Sequence, residues 1–220
     1  GQLTFARYSP GLYLKPEYED QYPYNELKTT GPKLVALIRH LLLKRMESSQ
    51  QAFRITIEQF IRTHELFLKL LEKGVMPIGE TAVKDMYAVA SEPDFELDDE
   101  EQLNKIAENI SEGEDTKYMF EAFEIEDLTK NIVSDLTVFD DIRDSINNCT
   151  NKNDDKLHKL QKLLDKNSGK KVLVFSEFSA TIKYLYESIK WKGNKERVYA
   201  ELSNAMKTAQ RFDPENNPSD

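Results

Sequence analysis

The sequence has a single cysteine, few glycines and prolines, and no long apolar run, and each shortage excludes a class of protein. Cys149 is alone among 220 residues, which permits no internal disulfide and indicates a reducing compartment. The eight glycines and eight prolines are few for this length, which favours long helices. No run approaches the roughly 18 apolar residues that a membrane span needs, and no charged-then-apolar leader opens the chain. We expect a soluble, cytoplasmic protein with no membrane partner.

Sequence patterns for binding metals or nucleotides are also missing. His40, His64 and His158 have no clustered cysteine or carboxylate partners, so no zinc site is predicted. Residues 168–171 (SGKK) lack the earlier glycine of the Walker A phosphate loop, because position 164 is leucine. They also precede an apolar run, whereas the loop follows one. We expect this chain to carry no catalytic residue, no metal and no cofactor.

Charge is distributed unevenly around the net value of −9. Residues 28–73 contain nine Lys and Arg against four acids, which gives +5. Residues 92–127 contain fifteen acids against two lysines, which gives −13, and residues 151–212 contain fourteen Lys and Arg against seven acids, which gives +7. The overall balance argues against a free-standing nucleic-acid binder, yet it allows a basic face built from the two basic segments.

The first 31 residues differ in composition from the rest. They carry six aromatic side chains and three prolines, and Pro10, Pro16 and Pro23 prevent a continuous helix. We predict an extended segment whose tyrosines cover a neighbouring surface. From Pro32, apolar residues three or four apart continue to Leu71. This spacing predicts one very long helix, or two helices joined near residues 47–51, with Pro32 in the first turn and Gly74 as the stop.

The same periodicity predicts four further helices as far as residue 166. They cover about 80–90, 98–111 after an acidic turn, 125–146, and a segment capped by Asp154 or Asp155. In residues 136–141 (LTVFDD), a magnesium-binding strand is the alternative, but the sustained helical period favours a helix. The predicted fold class is mainly α: a helical body over 32–166, followed by a short α/β fragment over 167–220.

Residues 172–175 break the helical pattern. These four apolar residues (VLVF) follow two lysines, and an amphipathic pattern resumes after Glu177. A short apolar run before a helix predicts a buried strand, which would be the first unit of an α/β sheet.

A basic stripe along the long helical pattern allows two interpretations. Lys44, Arg45, Arg54 and Arg62 belong either to a solvated helix face or to a surface for phosphates or an acidic partner domain.

Three stretches together resemble Swi/Snf-type superfamily 2 helicases. Residues 41–60 (LLLKRMESSQQAFRITIEQF) resemble the segment between the two motor domains of bacterial members. Asp155-Lys156-Leu157 and the run over 172–178 resemble the helix and the motif IV strand that open the second RecA-like domain. Residues 205–217 resemble the helix ending in Arg-Phe that follows the second strand.

The resemblance implies a fragment of an ATP-dependent DNA helicase or translocase. The first motor domain, motifs V and VI and the usual turn after the second strand are not found, so ATP and Mg²⁺ are expected for the parent protein and not for this fragment. Expected partners are DNA and the missing first RecA-like domain. Candidate nucleic-acid contacts are Lys44, Arg45 and Arg54 in the basic stripe and Ser176, Glu177 and Phe178 in motif IV.

The alternative is a helical protein-interaction or regulatory module without motor activity. Its partner surfaces would be the aromatic first segment and the acidic centre.

Overall fold

The computed structural model describes residues 2–92, 97, 99–112, 118–148 and 154–199 of the chain. Within these ranges the secondary structure is helical, and Leu14 and Phe123 form an isolated antiparallel bridge. The α-helices are α1 (Tyr24–Ser48), α2 (Gln50–Glu72), α3 (Glu80–Ala90), α4 (Glu100–Glu112), α5 (Ile125–Asn147), α6 (Asp155–Lys166) and α7 (Ser179–Ser188). The mainly α fold is therefore confirmed.

The chain divides into two compact units. Unit 1 comprises Gly1–Leu41 and Thr56–Asp144, and unit 2 comprises Leu42–Ile55 and Ser145–Asp220. The predicted domain boundaries at 31/32 and 166/167 do not coincide with these units, because each unit combines two separate stretches of sequence.

Unit 1 has a core drawn from all of its helices and from the first segment. Its buried apolar residues include Leu66, Phe67 and Leu70 of α2 and Leu128 and Ile132 of α5. The buried positions recur three or four apart because one face of each helix is apolar. In α5, the buried residues Leu128, Ile132 and Phe139 belong to the apolar spacing that predicted the helix.

The first segment is part of this core, and it is not extended as predicted. It contains two 3-10 turns, Ala6–Tyr8 and Pro10–Tyr13, and residues 5–11 are buried. The Asp135 carboxylate in α5 accepts hydrogen bonds from the Thr4 backbone N–H at 2.6 Å, the Thr4 hydroxyl at 3.0 Å and the Ala6 backbone N–H at 2.9 Å. Phe5, between the two backbone donors, has a left-handed backbone with φ 56°.

The prediction that the first long helix begins at Pro32 is wrong. The helix α1 begins at Tyr24, directly after Pro23, and Pro32 lies in its interior. An interior proline removes the donor for the carbonyl four residues earlier, here that of Lys28. Pro32 and Lys28 are both exposed, so water can hydrate that carbonyl.

Several predicted helix ends are confirmed, each with its cap. The joint between α1 and α2 falls at Ser49, whose hydroxyl accepts a hydrogen bond from the Ala52 N–H at 3.0 Å. Gly74 follows α2 with φ 74°, a conformation that favours glycine. Asp99 caps α4 by accepting from the N–H groups of Glu101 and Gln102, both at 3.1 Å, and Asp154 caps α6 through the Leu157 N–H at 2.9 Å.

The buried strand predicted over residues 172–175 is not found. This stretch is neither helical nor paired, and Leu173, Val174 and Phe175 are 60%, 46% and 86% exposed. The backbone N–H and C=O groups of a strand need hydrogen-bond partners on a neighbouring strand, and no neighbouring strand is found among the described residues. The helix predicted after it is confirmed as α7. Unit 2 has a smaller core, in which Leu157, Leu164 and Ile189 pack with Val172 and Trp191.

Two further observations concern the remaining predictions on the fold. None of the described helices combines the length and the apolarity needed to cross a membrane. Cys149 and the helix predicted over 205–217 lie outside the described residues.

Asp135→Ala should lower the free energy of unfolding by about 3 kcal/mol, because three hydrogen bonds to a buried carboxylate are lost. Urea unfolding followed by circular dichroism measures the change. Asp127→Asn, at an exposed position of the same helix, is the control and should change it by less than about 0.5 kcal/mol. Equal effects of the two variants would show that Asp135 does not hold the first segment.

His64 is buried in an aromatic environment in unit 1. Its Nδ1 lies 2.6 Å from the Phe60 carbonyl oxygen, which only accepts, so this nitrogen carries the proton. The ring centroid lies 5.7 Å from that of Tyr8 and 5.1 Å from that of Phe139. Burial, with the Arg7 charge in second place, lowers the pKa of His64 from 6.5 to about 3, although the Phe60 carbonyl opposes the shift.

We expect His64 to make the protein less stable in acid. Between the unfolded pKa of 6.5 and the folded pKa of about 3, the unfolded state binds one more proton. The free energy of unfolding therefore decreases as the pH falls below 6.5, by up to about 1.4 kcal/mol per pH unit. Urea unfolding at neutral pH and about two units lower measures the slope. His64→Gln, which keeps a donor for the Phe60 carbonyl, should flatten it, and an unchanged slope would contradict this assignment.

Candidate functional site

Two segments far apart in sequence contact each other in unit 2. The Lys44 ammonium nitrogen lies 3.1 and 3.2 Å from the two carboxylate oxygens of Glu177. One residue further along, the Arg45 guanidinium carbon lies 4.4 Å from the centroid of the Phe178 ring. The end of α1 therefore packs against the residues that lead into α7.

A cluster of hydroxyl groups lies next to this contact. The Thr181 hydroxyl lies 2.8 Å from the Ser48 hydroxyl and 2.9 Å from the Ser49 hydroxyl. The Ser48 hydroxyl also lies 3.4 Å from that of Ser176. Thr181 and Ser49 are buried, so their polar atoms need these partners. The cluster thus joins the α1–α2 joint to the first turn of α7.

The start of α6 completes the site. The Lys156 ammonium donates to the Glu47 backbone carbonyl. Asp154 is buried and accepts from the Leu157 N–H with one oxygen and from the Tyr184 hydroxyl, at 2.8 Å, with the other. Partial burial and the Asp154 carboxylate raise the pKa of Tyr184 above its ordinary value, so its hydroxyl stays protonated as a donor.

These three segments enclose an open groove of about 810 Å³. Two cations, Lys44 and Lys156, line it together with the carboxylates of Glu47, Asp154, Asp155 and Glu177, so the charged lining sums to −2. A phosphate in the groove itself would meet more negative than positive charge. Lys44, which lines the groove, and its neighbour Arg45 are half-exposed, and these two residues form what we call the rim of the groove.

Five of the six candidate residues are brought together here. Lys44, Arg45, Ser176, Glu177 and Phe178 all take part in the contacts above. The sixth, Arg54, lies further along α2 and does not line the groove.

The sequence interpretation missed Thr181, Asp154 and Tyr184 as parts of this site. Asp154 was assigned only as a helix cap, yet its second oxygen binds Tyr184. A threonine in the first turn of a helix carries no local signal for a contact with residues more than a hundred positions away, and a tyrosine on the side of that helix carries none for a contact 30 positions away. Ser48 and Ser49, the partners of Thr181, do lie within residues 41–60, the segment that resembles the helicase family.

The exposed ion pair of the site contributes little to stability. The side chains of Lys44 and Glu177 are 41% and 60% exposed, and pairs of this kind contribute about 0–1 kcal/mol. Such a pair opens at small cost, so the Lys44 ammonium is available to a competing anion.

Within the described ranges, no group of three or more His, Cys, Asp or Glu side chains is placed to hold a metal ion. Comparisons with protein-family models, curated proteins and solved structures find no match to this chain.

Thr181→Val should lower the free energy of unfolding by about 1–3 kcal/mol, because the Ser48 and Ser49 hydroxyls lose a buried partner. Chemical denaturation with the fluorescence of Trp191, a residue packed on the core of unit 2, measures the change. Glu177→Gln removes the exposed pair in the same place and should cost less than about 1 kcal/mol. If Thr181→Val were as mild as this control, the hydroxyl cluster would not stabilise unit 2.

Proposed function

We propose that this chain is part of an ATP-dependent DNA helicase or translocase of the Swi/Snf-type superfamily 2. It supplies helices between two motor domains and the beginning of the second motor domain. The proposal rests on the contacts among three of the segments that resemble the family: residues 41–60, the Asp155-Lys156-Leu157 helix start, and residues 172–178.

A chance likeness of these segments to the family would give no reason for them to contact one another. Lys44 and Arg45 of the first segment contact Glu177 and Phe178 of the third, and Lys156 of the second donates to the Glu47 carbonyl of the first. A motor that couples two domains needs its linking helices anchored to the domain that follows. The contacts of unit 2 provide such an anchor.

The exposed apolar residues 173–175 support the proposal that this stretch belongs to a larger motor domain. Strands of parallel sheets are apolar because both of their faces are covered. Leu173, Val174 and Phe175 are exposed, an arrangement that is costly in an otherwise complete domain. Neighbouring strands and helices of a whole RecA-like domain would cover them.

The proposal assigns ATP and Mg²⁺ to the parent protein. They would bind between the first RecA-like domain and the second, and domain closure would move the motor along DNA. This chain lacks a Walker A loop, so we expect it to have no ATPase activity by itself.

The proposed DNA contact is made at the rim of the groove. Lys44 can exchange Glu177 for a phosphate at small cost, and Arg45 lies beside it with its guanidinium on Phe178. Ser176 and the Phe178 side chain lie next to these cations and would contact the sugar-phosphate backbone.

A helical protein-interaction module without motor activity is the second candidate. Two observations favour it: the groove has a net negative lining, and an apolar run is exposed beside it. Both suit a protein partner with apolar and basic side chains better than they suit DNA.

Duplex DNA should bind the chain with an affinity that falls steeply with salt, because phosphates release their counterions to lysine and arginine. Fluorescence anisotropy of a labelled oligonucleotide over a range of salt concentrations measures the slope. The double variant Lys44→Glu, Arg45→Glu should reduce the slope by about 2. Glu177→Gln, which releases Lys44, should strengthen binding.

Lys159→Glu is the matched control, since Lys159 is exposed in unit 2 but does not line the groove. Equal effects of Lys159→Glu and Lys44→Glu would contradict a specific rim contact. An absence of binding at low salt would favour the interaction module. DNA-stimulated ATPase activity of the purified chain would contradict the fragment proposal.

A further inference from the structure

Arg7 is a buried cation in unit 1, and it has no anionic partner among the described residues. Its residue is 6% exposed, and its one hydrogen bond runs from Nη2 to the Tyr8 hydroxyl at 2.7 Å. The guanidinium carbon lies 4.4 Å from the centroid of the Tyr8 ring and 5.6 Å from that of Tyr87. The Nε–H is buried and has no hydrogen-bond partner.

A buried charge of this kind is costly unless it is paired. The two tyrosine rings attract the guanidinium through their π faces, but they carry no net charge. Buried charges in proteins are normally paired with an opposite charge, because the low dielectric interior penalises an isolated ion. Arg7 thus has aromatic neighbours but lacks its usual carboxylate.

The neighbouring titratable groups do not compensate the charge. His64 is neutral: burial and the Arg7 charge lower its pKa to about 3, and its Nε2 is a buried acceptor without a partner. Burial raises the pKa of Tyr8, so this hydroxyl is also neutral. The hydroxyl of Tyr87 lies 3.3 Å from that of Tyr8. Among the described residues, Arg7 is therefore the single charge in a cluster of neutral groups.

The cluster reaches the surface at Tyr87. Arg7 and Tyr8 are buried, but Tyr87, on α3, is half-buried. Its ring lies beside the guanidinium and its hydroxyl beside that of Tyr8. Tyr87 is therefore the member of the cluster that solvent reaches most readily.

We propose that Arg7, Tyr8 and Tyr87 form a binding site for a carboxylate group. A guanidinium matches the planar geometry of a carboxylate with parallel N–H groups, and the buried Nε–H is a donor in need of such an acceptor. The guanidinium carbon lies near the Tyr8 and Tyr87 rings, and a carboxylate would pair with the N–H groups at the edge of the guanidinium. The site is independent of the helicase proposal, which concerns unit 2.

A thermal-shift titration of the full chain tests the site. Sodium acetate, added at constant ionic strength, should raise the unfolding temperature in a saturable manner, because a ligand that binds only the folded state stabilises it. Arg7→Gln should abolish the shift. Tyr87→Phe removes only a half-buried hydroxyl and should weaken acetate binding by about tenfold.

Arg39→Gln is the matched control. Arg39 is exposed, and its guanidinium lies over an aromatic ring, that of Phe5 at 5.2 Å, yet it does not belong to the cluster. This variant should keep the full acetate shift. Should Arg7→Gln fail to fold, Tyr87→Phe and the ¹⁵N–¹H signal of the Arg7 Nε–H in the unaltered chain still test the proposal, since acetate should move that signal.

The source of the carboxylate is distinguished by a second ligand. A short acidic peptide that binds at least tenfold more tightly than acetate would identify an acidic side chain of a protein partner, and acetate binding at equal strength would identify a small carboxylic acid. Sodium phosphate should shift the unfolding temperature less than acetate. The proposal is overturned if no saturable shift occurs with acetate or the peptide, or if Arg7→Gln and Arg39→Gln behave alike.

Discussion

The buried carboxylate of Asp135 is the interaction on which the architecture of unit 1 depends. It is fully buried, and its hydrogen bonds with Thr4 and Ala6 attach the first segment to α5. The left-handed backbone at Phe5 is unfavourable for an L-residue by roughly 1–2 kcal/mol, but it lets the N–H groups on either side of it, those of Thr4 and Ala6, reach the same carboxylate. The position of the following turn, with Arg7, is a consequence of this attachment.

In unit 2 a comparable role falls to neutral hydroxyl groups. The Thr181 hydroxyl is the hydrogen-bond partner of the Ser48 and Ser49 hydroxyls at the α1–α2 joint, and Ser49 also caps α2. The joint is thereby fixed against α7, and the charged and aromatic pairs of Lys44 and Arg45 lie beside it. The candidate functional surface is thus built on a hydrogen-bonded cluster, while its exposed ion pair remains free to exchange partners.

The helices could be predicted from sequence because their signals are local. Apolar spacing located α2 to α6 to within a few residues, and Ser49, Gly74 and Asp154 marked ends through caps that depend on near neighbours. Pro32 misled the prediction of α1, because a proline suits a first turn but is also tolerated on an exposed interior face. The run over 172–175 has the composition of a strand, yet pairing requires a second strand that local composition cannot supply.

The site was only partly predictable for the same reason. Lys44, Arg45 and the residues around Glu177 could be selected from the sequence pattern alone. The Asp154–Tyr184 and Thr181 contacts could not, because they depend on tertiary packing. The cluster around Arg7 was missed entirely. A buried arginine in an aromatic segment has the sequence signature of an exposed one.

The close approach of the first segment to α1 has a practical consequence for work with this protein. A Cβ atom at Gly11 would lie 2.6 Å from the Leu27 carbonyl carbon, and one at Gly31 would lie 3.0 Å from the Ser9 Cα, so the two backbones touch. Residues rich in proline and tyrosine are commonly trimmed as a dispensable tail. A shortened protein that starts at Pro32 would lack the first segment, which packs against α2 and α5. The apolar surface of these two helices would then be exposed and would promote aggregation during purification.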